Sequence, residues 1–282
     1  MSNILTPKTW AEVYEAIFDG TYNPRIDRYK SRFAFRGVSN KNYKMETSLM
    51  RLGGDYPKVE SHLLRQFKKY AHRHIEPKND NWYWLSVAQH YGLPTRLLDW
   101  TYSPDVALHF ATANTNQYDK DGAVWKVNYK KVHESLPPIL FAHAKQDNIW
   151  ILTVEMLETM FDGLETLDEK GYRHGDFILF FEPPTLDDRI YNQFAYFSAC
   201  SRPDMLIDDW LKTRPDMWQQ VIIPKELKWE LRDKLDQRNI SERTLFPGMG
   251  GLADWLKRYY LPTGSSAKKI VIKAPTKRRK RK

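Results

Sequence analysis

The stretch QHYGLPTRLLDWTYSPDVALHF, residues 89–110, holds the densest group of side chains able to do chemistry. Gln89, His90, Tyr91, Arg96, Asp99, Trp100, Thr101, Tyr102 and Ser103 cluster around what reads as a helix end, a short strand and a helix start. Polar groups at such junctions can face a cleft while the backbone beneath them stays fixed. Each has an ordinary alternative: Ser103 as a helix cap, Arg96 and Asp99 as an ion pair, His90 as an exposed last turn. As a group they point to a site. A second centre is FAFRG, where Arg36 ends an aromatic-rich apolar run and Gly37 follows. A guanidinium is a rigid planar fork that suits phosphate or a ribose-linked group, and glycine would keep the backbone clear of it. The alternative is a surface arginine at a strand end.

Other chemistries find little support. His72 and His74 are two apart, the wrong spacing for one helical face, so no metal site is expected. GMGG at 248–251 follows Pro247 and lacks the Lys-Ser/Thr of a phosphate-binding loop. Cys200, the single cysteine, has aromatic neighbours and no nearby histidine in sequence, which reads as burial rather than nucleophilic use. It also excludes an intramolecular disulfide, and a reducing compartment follows.

The elements that must position these residues can be read from periodicity and punctuation. Residues 7–19 place Trp10, Val13, Ile17 and Phe18 at helical spacing, starting at Thr6 or Pro7 and stopping at Gly20. RFAFRG is a short strand. YPKVESHLLRQFKKYAHRH is an amphipathic helix with Leu63, Leu64, Phe67 and Tyr70 inward, and NWYWLSVAQHYG is a helix closed by Gly92 and Pro94. TRLLDWT is a strand. Ser103, Pro104 and Asp105 give the next helix a cap, a first position and an acid at its positive end. GAVWKVNY, DFILFFEPP, NQFAYFSAC and the start of WQQVIIPKELKWELRDKLDQRNI are strands, with a charged helix completing the last of these and a final helix after the Gly-rich turn of LFPGMGGLADWLKRYY. Strands and helices mix without strict alternation, which favours α+β.

The chain has 282 residues and a net charge of +9, and 14% of its residues are aromatic. From Gly264 to Lys282 there are nine Lys or Arg and no acid, so the remaining body is neutral. Lys277, Arg278, Arg279, Lys280 and Arg281 would draw any polyanion, RNA first, by counterion release, or simply form a solvated end. No apolar run is long enough to span a bilayer, and the expectation is a soluble cytoplasmic protein without a membrane partner.

The segments FAFRG, AQHYGLPTRLLDWTYSPDVALHFAT, GAVW, DRIYNQFAYF and RTLFPGMGGLADWLK resemble, in this order, the blocks of the FRG domain, named for an aromatic-Arg-Gly motif, over roughly residues 31–257. The resemblance implies a bacterial, phage-associated protein and carries no settled activity. A weaker likeness is to the ADP-ribosyltransferase fold. It implies a single mixed-sheet core with surrounding helices, and the expected division is an N-terminal helical segment (1–30), an FRG-like α+β domain (31–262) and a disordered basic tail (263–282).

By that likeness Arg36 grips NAD, and Thr101 with Tyr102 or Ser103 shapes a nicotinamide pocket. Gln193 takes the third-motif place after the turn TLDDRIY. Gly37, His90, Tyr91 and Arg96 join the NAD-binding set. The usual third-motif residue is a glutamate, which can stabilise oxocarbenium character; a neutral amide only positions groups. Asp99, Glu46 or Glu182 would then have to supply charge. The expected function is NAD-dependent ADP-ribosyl transfer to nucleic acid, RNA favoured, with NAD as co-substrate, in a toxin or effector with a neutralising antitoxin. The alternatives are a non-catalytic nucleotide- or nucleic-acid-binding module and an RNA-binding structural protein that acts through its tail.

Overall fold

The computed structural model describes residues 2–262 apart from 76, 77, 79 and 146–149. The Lys277–Arg281 cluster lies outside these residues. Ten strands run β1 (Ile4–Leu5), β2 (Tyr22–Asn23), β3 (Arg28–Tyr29), β4 (Phe33–Val38), β5 (Leu97–Thr101), β6 (Gly122–Asn128), β7 (Leu152–Thr153), β8 (Ile178–Glu182), β9 (Ala195–Cys200) and β10 (Trp218–Ile223). The helices are α1 (Trp10–Phe18), α2 (Tyr56–Ala71), α3 (Asn81–His90), α4 (Pro104–Thr112), α5 (Tyr129–Glu134), α6 (Pro138–Lys145), α7 (Val154–Met160), α8 (Leu164–His174), α9 (Asp188–Asn192), α10 (Ile207–Lys212), α11 (Lys228–Gln237), α12 (Glu242–Leu245) and α13 (Met249–Tyr259).

Eight strands form one mixed sheet in the order β1-β10-β6-β4-β5-β9-β8-β7, and β2 and β3 form a separate hairpin. The outer pairs β1–β10 and β7–β8 are parallel and the rest antiparallel. The fold is therefore α+β. Residues 1–30 contribute to the same core, since β1 extends the sheet and Val13 and Ile17 of α1 pack with Phe35, Val124 and Val221.

Side-chain alternation sorts the core. Phe35, Val124 and Val221 face α1, α4 and α11, while Leu97, Leu179, Phe181 and Phe197 face a second helical group including α3 and α7. The pairing of Phe35 with Thr101 puts both groups on one face of the sheet. Ala34, Trp100, Trp125 and Phe180 line the other face, against Val132 of α5 and Trp210 of α10.

The caps behave as their chemistry dictates. Ser103 accepts from the Val106 amide at 3.4 Å and starts α4 at Pro104. Four expected details differ. The first helix begins at Trp10, because the Thr9 hydroxyl accepts from the Glu12 amide. Trp10 and Phe18 are exposed, leaving Val13 and Ile17 as the inner face. In α2 Tyr70 is exposed, and the residue buried beside Leu64 is Glu60, which serves as a counter-ion for Arg96.

Gly37 has a different reason from the expected one. A Cβ there would stand 1.8 Å from the Ala107 carbonyl oxygen and 2.7 Å from the Ala111 nitrogen. Glycine at 37 thus lets α4 lie directly on β4.

Candidate functional site

β4 pairs with β6 over six residues and β5 pairs with β9 over five, but β4 and β5 meet only at Phe35 and Thr101. Beyond that pair the strands part. Arg36 starts on the face opposite Phe35 and Gly37, and its Nη1 reaches across the parting to donate to the Asp99 carbonyl. Its Nε is buried and has no partner among the described residues. A buried N–H without an acceptor is uncommon, and its cost is removed when a ligand accepts from it. Burial lowers the Arg36 pKa below the ordinary arginine value, with Asp99 opposing the shift.

The parting opens into a cavity of about 220 Å³. Phe35, Phe110 and Phe197 give it an apolar lining, with Arg36, Gln89, His90, Asp99, Thr101, Arg189 and Gln193 among its polar groups. Asp99 is the one carboxylate among these lining residues. Gln89 fixes that carboxylate: its Nε2 donates to both oxygens at 3.1 Å, and its Oε1 accepts from the Thr95 hydroxyl at 2.6 Å. Thr101 is buried, and its oxygen accepts from the Ser103 amide at 3.0 Å.

Gln193 ends α9, and its Nε2 donates to the Leu245 carbonyl at 2.9 Å. The neighbouring Asn192 donates to the Thr244 carbonyl, also at 2.9 Å. Two amides thus tie α9 to α12 and leave the Gln193 oxygen as an acceptor. The next residue, Phe194, has φ +50°, a left-handed conformation that costs a bulky residue energy. Its carbonyl accepts from the Tyr102 amide at 3.0 Å and its ring packs on Tyr102 at 4.9 Å, which holds the strained turn in place.

His90 and Arg189 also line an outer groove of about 720 Å³, together with Tyr91, Asp187, Asp188, Phe246 and Asp254. The groove shares these two residues with the cavity lining. His90 Nε2 lies 2.8 Å from Asp187 Oδ2, and the other Asp187 oxygen caps α9. The Arg189 guanidinium rests over the Phe246 ring at 5.2 Å.

The fold therefore gathers Arg36, Gly37, His90, Asp99, Thr101 and Gln193 around one cavity, with Tyr91 in the adjoining groove. Other nominated residues lie elsewhere. Arg96 is buried, takes Glu60 and Asp168 as partners and lines neither space. Burial alone would lower its pKa, but Glu60 and Asp168 outweigh it and raise the pKa above the ordinary value. Ser103 acts as a helix cap. Tyr102 meets Phe194 edge-on and Tyr196 at a tilt, outside the cavity lining. Of the acids considered as charge donors, Glu46 and Glu182 do not line the cavity.

Sequence reasoning missed Arg189, and it placed Gln89 in the candidate group without a role of its own. The cap Asp187 marks the start of α9 and could have signalled Arg189. Nothing in the sequence signals that Gln89 would lie beside Asp99. Cys200 is buried, and burial pushes its thiol up to about 12, consistent with an inert sulfur. Among the described residues no cluster of His, Cys, Asp or Glu is arranged to hold a metal ion, and no helix is long and apolar enough to cross a membrane.

Residues 31–120 match the family model of the FRG domain. Over that segment the chain is similar to the FRG domain. The FRG segment supplies β4, α3, β5 and α4, and with them Arg36, Gln89, Asp99 and Thr101. Arg189, Ile190, Gln193, Ala195 and Phe197 close the cavity from beyond the matched segment. Comparison with curated proteins and with solved structures returns no significant match.

Proposed function

We propose that the cavity binds NAD and that the protein transfers ADP-ribose from it to nucleic acid, RNA favoured. The observation that carries this reading is the buried, unpartnered Arg36 Nε in a cavity that also presents Thr101 and the Gln193 oxygen. Ligand cavities for drug-sized molecules run to about 300–1,000 Å³. The inner space of about 220 Å³ suits one end of the dinucleotide, nicotinamide with its ribose, and the outer groove suits the remainder.

In the transfer the bond between ribose C1′ and the nicotinamide nitrogen breaks, and nicotinamide leaves with the electron pair. A nucleophilic oxygen or nitrogen of the acceptor bonds to C1′ and gives up its proton to solvent. Arg36 donates to ligand oxygen through Nε, and the phenylalanine rings exclude water from the reacting bond. Gln193 accepts from a ligand hydroxyl or carboxamide, and the Asp99 carboxylate supplies the negative charge that an amide lacks. By the family resemblance, such an activity suits a toxin or effector in bacterial phage defence with a neutralising antitoxin.

The test is mass spectrometry of protein incubated with NAD and, separately, with RNA, DNA or protein, comparing wild type with Arg36→Ala. The expected result is nicotinamide release and a covalent ADP-ribosyl adduct, both lost in the variant. Turnover that survives Arg36→Ala overturns the assignment. A second reading, a nucleotide-binding module without turnover, draws on the neutral Gln193. It predicts saturable nucleotide binding, weakened by Arg36→Ala, with no nicotinamide released.

A further inference from the structure

The β2–β3 hairpin and its base form a second concentration of ligand-type groups, away from the cavity. The run TYNPRIDRYKSR, residues 21–32, has four cations, Arg25, Arg28, Lys30 and Arg32, against one acid, Asp27. Tyr22 and Tyr29 are cross-strand partners, so their side chains share one face of the hairpin. Their rings lie 5.3 Å apart, and Tyr29 is 81% exposed. The Tyr22 hydroxyl donates to Asp27, which occupies the one acid of the run. Among the described residues none of the four cations takes part in an ion pair.

At the base of the hairpin lies a cavity of about 150 Å³ lined by Tyr22, Lys30, Arg32, Phe33 and Asn128, among others, with no carboxylate in its lining. Two cations, an amide and a phenol around a small open space are suited to a phosphate oxygen. Exposed rings beside unpaired cations are the combination that holds single strands, because bases stack on the rings while cations follow the backbone.

We propose that the β2–β3 hairpin is a binding site for single-stranded nucleic acid, with a base stacked on Tyr29 and a backbone phosphate at Lys30 and Arg32. The site shares its partner class with the function proposed above, but its binding does not depend on turnover. Phe33 belongs both to this base cavity and to β4, and Arg36 follows three residues later, about 10 Å along the strand. A strand seated on the hairpin therefore runs beside the element that carries Arg36.

The experiment uses the full chain, basic tail included, and a fluorescently labelled single-stranded oligonucleotide, with anisotropy titrations from low to moderate salt. Tyr29→Ala is expected to weaken binding by about 5- to 150-fold, the range for losing one stacked base, with the salt slope unchanged. Tyr29→Phe is expected to bind as wild type. Lys30→Ala with Arg32→Ala is expected to lower the salt slope by about 0.7 for each phosphate contact removed. If all three bind as wild type, the site is refuted and the tail is left to account for any affinity. The proposal also fails if only the charge variant weakens, or if a duplex is held as tightly as a single strand. Nicotinamide release from NAD without nucleic acid, measured on the same variants, separates failure of this site from failure of the transferase reading.

Discussion

Gln193→Glu tests whether the amide at the third-motif place is a built feature or a decayed glutamate. The wild-type Nε2 donates to the Leu245 carbonyl at 2.9 Å, in a half-buried position. An ionised carboxylate has no proton to donate, so two acceptors would face each other. Loss of the bond together with an unsatisfied carbonyl costs about 1–3 kcal/mol. For a chain of this size that is a fall in Tm of a few degrees, at roughly 2 °C per kcal/mol. A protonated glutamate can still donate, so the deficit should shrink from pH 7.5 to pH 5. Differential scanning fluorimetry at both pH values reads the stability, and nicotinamide release reads function in parallel. Asn192→Asp is the control, because it loses the equivalent bond to Thr244 from outside the cavity lining and should destabilise without changing ligand affinity. A Gln193→Glu protein as stable as wild type at pH 7.5, with equal or faster turnover, would refute the reasoning.

Three further outcomes follow from the packing. His133 accepts from the Phe180 amide at Nε2 and contacts the Trp150 carbonyl through Nδ1, so the neutral Nδ1–H form is fixed, and burial lowers its pKa to about 4. Between about pH 6.5 and 4 the unfolded state binds a proton that the native state refuses, so stability is complete above this window and falls by up to about 3 kcal/mol as pH drops through it; nitrogen-15 NMR should show no His133 titration down to pH 5. Gly37→Ala forces a methyl group against the Ala107 carbonyl and should destabilise by about 1–3 kcal/mol or more, read from the denaturant midpoint. Glu60→Ala leaves Arg96 buried with Asp168 alone, and should cost about 3–5 kcal/mol in stability while the folded fraction keeps wild-type nucleotide affinity.

What was legible in the sequence was local. Ser103-Pro104-Asp105 names a helix start by its own chemistry, and α4 begins there. FAFRG and TRLLDWT read as strands because apolar runs bounded by turn residues have few other uses. The junction at residues 89–103 was legible as a group, yet its members could not be sorted. Arg96 and Asp99 are three apart in one strand segment, but a partner from α2, Glu60, takes the arginine and leaves the aspartate to Gln89. Glu60 gives no hint of this, because a glutamate on an amphipathic helix is normally solvated. Among the described residues the region from Tyr129 to His174 carries four helices that periodicity did not separate: α5, α6 and α7 show too few turns to display a face, and α8 buries only Leu164, Leu167 and Gly171, too few apolar side chains to mark one.

Gly37 shows how a correct residue can be given the wrong reason. A glycine beside a candidate phosphate-binding arginine suggests ligand access, but the close contacts are with α4. The two functions converge all the same. Pressing α4 onto β4 brings Phe110 to the cavity wall, and the single pairing of β4 with β5 leaves the gap that Arg36 crosses. The parting costs ladder hydrogen bonds, and one Arg36–Asp99 contact replaces only part of them. Arg36 therefore closes the sheet through Nη1, and under the proposed function it would also meet a ligand through Nε. Arg36→Lys should separate the two. Lysine keeps the charge but cannot donate in both directions from a rigid plane, so it should retain part of the stability and lose most of the ligand affinity.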